Sequence, residues 1–135
     1  MIGLDSNVLV RYFAQDDEVQ AALAGRTIDA LSERSPGYVS LVSLTELCWV
    51  LVRSYDLDRA SAADIVERLL DSREIVVNRS DTVRRALRLY RTTAADMADC
   101  LIERLGADDG CETTLTFDTR AARDTGMTLL VPEPS

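Results

Sequence analysis

The chain has 135 residues, 47% hydrophobic and 28% charged, which suits a single domain over residues 1–135 that buries roughly 68% of the surface its unfolded form would expose and excludes a disordered or low-complexity protein. There is no histidine, and all 15 basic residues are arginine, which excludes any lysine-based mechanism while leaving bidentate phosphate contacts available. The formal net charge of −8 argues against a partner as anionic as RNA or DNA unless a bound divalent cation changes the local balance.

The opening MIGL reads as a short apolar strand, and SNVLVRYF then places Val8, Leu9, Tyr12 and Phe13 at helical spacing. Residues 17–34 carry Val19, Leu23, Ile28 and Leu31 in a second helical pattern that Ser35-Pro36-Gly37 ends. Residues 38–42 are rich in β-formers and predict a strand. Residues 43–54, with Leu44, Leu47, Cys48 and Leu51 on one face, and 61–72, with Ile65, Leu69 and Leu70, predict helices, and the run 74–77 is strand-like. Val83, Leu87 and Tyr90 mark a helix over 80–90, and Ala98, Leu101, Ile102 and Leu105 mark another over 96–105. Gly106 and Gly110 break that pattern. A strand over 113–117, a short helix over 119–123 and a last strand over 127–131 complete the chain before Pro132.

Strands alternating with helices in this way predict an α/β protein, a three-layer α/β/α sandwich with a central, mostly parallel sheet of about five strands. The longest apolar run, residues 47–52, is far short of the ~20 residues that span a bilayer. The amino terminus also lacks the basic start of a signal peptide, so a cytoplasmic protein is expected. Cys48, Cys100 and Cys111 have no paired metal-ligand spacing and read as buried free thiols.

In open α/β sheets, ligand sites form beyond the carboxyl ends of the strands. Asp5 ends the first predicted strand, Glu46 lies in the helix after the second, and Asp118 follows the strand over 113–117. Asp99 lies early in the helix leading to that strand, and Asp96, Asp99 and Glu103 fall on one helical face opposite the apolar stripe. Each acid also has a purely structural account. Ser43-Leu-Thr-Glu46 fits a capping box, Thr93-Ala-Ala-Asp96 a weaker one, Asp5 and Asp118 are plausible helix N-caps, and the acidic stripe could be an ordinary solvated face.

Gathering all four acids would need a cation. Four ionised carboxylates at ~6 Å, with an effective dielectric near ~20, repel by roughly 3 kcal/mol per pair and on the order of 15 kcal/mol in all, which rivals a domain's whole stability of about 5–15 kcal/mol. A divalent ion reverses that sign, and oxygen-only ligation selects Mg²⁺ or Mn²⁺ over zinc.

With these residues in this order, the sequence resembles the PIN-domain ribonucleases, and most closely the VapC-type toxins of bacterial toxin–antitoxin pairs. The segments IGLDSNVLVRY, VSLTELCWVL, ADMADCLIERL and LTFDTRAAR carry the resemblance across nearly the whole chain. It implies a Mg²⁺- or Mn²⁺-dependent endoribonuclease in which Asp5 and Asp99 are the principal metal ligands and Glu46 and Asp118 complete an acidic quartet. Asn7 would orient Asp5, Thr116 matches a hydroxyl residue before the last acid, and Asp96 takes a supporting or capping role. Thr119 stands where the family often has a basic residue, with Arg120 next.

The implied reaction is phosphodiester hydrolysis by activated water, leaving a 5′-phosphate and a 3′-hydroxyl. Attack by the 2′-hydroxyl usually relies on groups such as histidine, and none is present. Arg84, Arg88 and Arg91 form a stripe, with Arg85 beside it, that suits either an RNA backbone or a solvated helix face. The resemblance also implies a homodimer and a cognate antitoxin, with Leu9, Tyr12, Phe13 and Trp49 as contact residues where they are not core. A phosphoacceptor receiver domain needs a lysine that the chain lacks, and a haloacid-dehalogenase-type phosphatase needs aspartate where Asn7 stands. The remaining alternative is a catalytically weak PIN-like module that binds RNA or protein.

Overall fold

The structure, a computed structural model, describes residues 1–133 and divides into two units, Met1–Ser80 and Asp81–Ser135. In the first, β1 (Ile2–Gly3) leads through α1 (Ser6–Ala14) and α2 (Glu18–Asp29) to β2 (Gly37–Val39), and α3 (Leu41–Ser54) and α4 (Arg59–Asp71) lead on to β3 (Ile75–Val77). The strands pair in the order β1-β2-β3, all parallel, with Ile2 opposite Gly37 and Tyr38 opposite Val76. Helical crossovers are what allow consecutive strands to run parallel.

In the second unit α5 (Ser80–Thr92) and α6 (Met97–Asp108) precede β4 (Leu115–Thr116), α7 (Thr119–Thr125) and β5 (Thr128–Leu129). β4 and β5 pair in parallel, Leu115 opposite Thr128. The α/β class and the parallel pairing therefore stand as expected, with the five described strands grouped as three and two.

The first core gathers Leu9, Val39, Leu44, Leu47 and Val66, all fully buried, where α1 packs on α2 and α3, and α4 packs on α3 and β3. Full burial of each such side chain is worth about 1.5–3 kcal/mol. Gly37 is part of that packing: a Cβ there would stand 2.8 Å from Leu31 Cδ1 and 2.9 Å from Leu4 Cδ1. In the second unit Val83, Ala86 and Cys100 are fully buried.

Several elements differ from their sequence-based bounds for identifiable reasons. The strand predicted over 38–42 stops at Val39 because the Ser40 hydroxyl accepts from Ser43 N at 3.1 Å and starts α3 two residues before Ser43. The proposed capping box from Ser43 to Glu46 is therefore not formed; Ser40 is the cap. The second helix ends at Asp29 rather than 34, because Ser32 Oγ accepts from Ser35 N at 3.1 Å and turns the chain.

Gly106 does not break its helix. It lies inside α6, where a Cβ would meet Thr114 Oγ1 at 2.9 Å, so the glycine admits the returning loop. Gly110 does the terminating, at φ +93°, with Cys111 N donating to Gly106 O at 2.9 Å. Cys111 is exposed, against expectation, whereas Cys48 and Cys100 are buried free thiols, and burial pushes the Cys48 thiol up to about 12. No described helix is long and apolar enough to cross a membrane.

Candidate functional site

The acids sit where the local sequence starts helices. Asp5 follows β1 and N-caps α1, its Oδ1 accepting from Ser6 N at 2.8 Å. Asn7 Nδ2 donates to Asp5 Oδ2 at 3.4 Å, a long contact. Glu46 lies on α3, beyond the end of β2, and its Oε1 accepts from Ser6 Oγ at 2.9 Å. Both carboxylates are exposed, and neither is in an ion pair among the described residues. The first unit therefore brings Asp5 and Glu46 together on a shared serine.

Ser6 was not singled out by sequence reasoning. The available signal is its phase: it lies three and four residues before Leu9 and Val10, so it occupies the buried face of α1, where a hydroxyl needs a partner.

In the second unit Asp96 caps α6 by accepting from Asp99 N at 2.8 Å, which is the capping role expected of it. The cap of α6 is Asp96 rather than Thr93, whose Oγ1 donates to Leu89 O at 2.8 Å and accepts from Ala95 N at 3.3 Å. Asp118 caps α7, accepting from Arg120 N at 2.8 Å and Ala121 N at 3.1 Å, and Thr116 Oγ1 accepts from Asp118 N at 3.0 Å. Thr116 thus fixes the turn that carries Asp118.

Asp99 is half-buried, and partial burial followed by the negative charges of Asp96 and Asp118 holds its carboxyl above the ordinary carboxylate value. Glu103, the third acid of the stripe, is engaged by Arg104.

The four acids thus occur as two described clusters, Asp5 with Glu46 and Asp99 with Asp96 and Asp118. Each offers only oxygen donors, which suits a hard divalent cation. Within neither unit do three or more acidic or cysteine side chains converge tightly enough, among the described residues, to hold an ion by themselves. A cavity of about 90 Å³ in the first unit, lined by residues including Tyr12, Phe13, Arg68 and Ile75, has no acidic residue in its wall and is separate from this chemistry.

The other predicted contact residues fall out as follows. On α5, Arg84 and Arg85 are half-buried, and Arg88 and Arg91 are exposed. Arg85 pairs with Asp108, which also accepts from Thr82. Leu9 is fully buried and belongs to the core, so it is removed from the proposed partner surface. Tyr12 and Phe13 are half-buried and meet edge to face at 5.1 Å, with the Arg68 guanidinium 5.3 Å from the Phe13 centroid. Trp49 is 59% exposed.

Acids placed just past strand ends lie where parallel α/β sheets form ligand sites, and the PIN domain model matches residues 2–125 of the chain. The chain belongs to the PIN domain family, whose members are generally nucleases that typically use divalent metal ions. No curated protein matches the chain significantly.

Proposed function

We propose that the chain is a Mg²⁺- or Mn²⁺-dependent endoribonuclease, the toxin of a type II toxin–antitoxin pair, with both units forming one nuclease domain. The observation that carries this reading is the PIN domain match over residues 2–125, beside the pairing of Asp5 and Glu46 on Ser6 and the crowding of Asp99 by Asp96 and Asp118. Crowded like charges of this kind cluster at functional sites. Asp5 and Asp99 would be the principal ligands of the ion, and Glu46 and Asp118 would hold a second ion or an ordered water.

A bound ion there supplies positive charge against the developing charge on phosphorus and lowers the pKa of water. The protein's own residues do the positioning. Neutral donors hold Asp5 and Glu46 through Ser6, and backbone N–H groups hold Asp118. Exposed Arg88 and Arg91, with Arg84, are proposed contacts to the RNA backbone. A second copy of the chain and a cognate antitoxin are the proposed partners, with Trp49, Tyr12 and Phe13 as candidate contacts, in a cytoplasmic setting.

Purified protein incubated with structured RNA tests the chemistry. Cleavage is expected with Mg²⁺ or Mn²⁺, leaving 5′-phosphate ends, and is expected to fall on the order of 100-fold or more in EDTA or in Asp99→Asn. Equal cleavage in EDTA or in the variant contradicts the assignment, and RNA binding without cleavage by wild type favours the alternative of a catalytically weak binding module. Expression in a bacterium tests the toxin role: growth arrest relieved by Asp5→Asn is expected, and harmless expression of wild type in several hosts lacking the antitoxin overturns that role.

A further inference from the structure

We propose that Ser6 is a positioning residue of the acidic site, presenting Asp5 and Glu46 to the cation as a preset pair by fixing one through its backbone N–H and the other through its buried hydroxyl. The proposal rests on the nuclease reading and assigns a task to a residue that reading does not need.

Ser6 is 2% exposed, and its neighbours on the buried face of α1 are Leu9 and Val10. Alanine would fill such a place with better helix propensity and no hydroxyl to satisfy. Another buried hydroxyl shows the ordinary solution: Thr125 donates to Ala121 O at 2.7 Å, one turn back in its own helix. Ser6 instead reaches 40 residues along the chain to Glu46 Oε1 at 2.9 Å.

Its Oγ also lies 3.5 Å from Asp5 Oδ1, but a hydroxyl carries one hydrogen, and the shorter contact takes it. Asp5 Oδ1 is already held by Ser6 N at 2.8 Å. Each carboxylate therefore has one oxygen fixed by the same residue. The other is nearly unengaged: Asp5 Oδ2 has only Asn7 Nδ2 at 3.4 Å, and Glu46 Oε2 has no hydrogen bond among the described residues. Partners that orient metal-binding carboxylates in this way typically contribute 10–100-fold to metal affinity or activity.

Mn²⁺ titration, read by the EPR signal of the free ion, tests this on wild type, Ser6→Ala, Ser6→Thr, Glu46→Ala and the Ser6→Ala/Glu46→Ala double variant, with a thermal midpoint for each. Ser6→Ala is expected to bind Mn²⁺ about 10-fold more weakly, Ser6→Thr to recover most of that loss, and Ser6→Ala to add nothing in the Glu46→Ala background. The Mg²⁺ midpoint of RNA cleavage should rise by the same factor, with the rate at saturating Mg²⁺ near that of wild type.

Unchanged Mn²⁺ affinity in Ser6→Ala, independent losses that multiply in the double variant, or a Ser6→Thr chain that melts like wild type yet binds as weakly as Ser6→Ala overturns the proposal. If Ser6→Ala fails to fold, Glu46→Asp replaces it: the shortened side chain keeps its charge but withdraws from Ser6, and unaltered Mn²⁺ affinity there is equally fatal. Wild type that binds Mn²⁺ and cleaves RNA while Ser6→Ala matches it defeats only the role of Ser6; wild type that does neither defeats the nuclease reading as well.

Discussion

The two acidic clusters are built on opposite electrostatic plans. Asp5 and Glu46 in the first unit are tied by neutral donors of a single serine, whereas Asp99 in the second is crowded by Asp96 and Asp118 and shifted upward by burial and by their charge. One cluster is held by hydrogen bonds; the other carries a repulsion that a bound cation would relieve. Geometry and charge are thus divided between the clusters, so that substitutions can separate the two contributions.

Asp118 gives the largest contrast, because it is both a helix cap and a proposed ligand. Asp118→Asn retains a good capping residue, so cleavage is expected to fall about 10–100-fold with the thermal midpoint nearly unchanged. Asp118→Ala also loses the cap, about 1 kcal/mol, and should melt roughly 4 °C lower. Wild-type cleavage in both variants would leave Asp118 as a cap alone.

A smaller effect sharpens the contrast at Asp99. Because its folded-state value is raised, the ionised form weakens the folded protein at neutral pH. Metal-free Asp99→Asn is therefore expected to melt above wild type at pH 7, by on the order of 1–2 °C given how much solvent screens a half-buried charge. The gap should shrink as pH falls through the raised value and vanish below the unperturbed 3.8. Saturating Mn²⁺ should reverse the order, because only wild type gains the full binding energy. Thermal melts across pH 3–7, with and without Mn²⁺, check both signs.

How much of this was legible in the sequence follows from which forces leave a local trace. Apolar periodicity located α1 to α6, and α5 starts at Ser80 as predicted because Val83, Leu87 and Tyr90 all turn inward. Caps were harder. Leu41 and Val42 look like strand residues, and only the reach of Ser40 Oγ to Ser43 N makes them helical. Gly106 was read as a helix breaker because its reason for being glycine, the approach of Thr114, belongs to a loop eight residues away.

Within the site, acids beyond strand ends and the capping role of Asp96 could be anticipated from position. The bond from Ser6 to Glu46 could not, because it joins residues 40 apart through a side chain whose burial depends on how α1 packs. The upward shift of Asp99 has a similar origin: Asp96 is a near neighbour in sequence, but the burial that is its largest cause depends on packing and the contribution of Asp118 arises from a different helix terminus.

Anomalous diffraction from a crystal of the wild-type protein soaked in Mn²⁺ tests the central claim most directly. The account predicts an ion coordinated by carboxylate oxygens of both Asp5 and Asp99. An ion held by acids of one cluster alone, or no ion on either aspartate at saturating Mn²⁺, would contradict it.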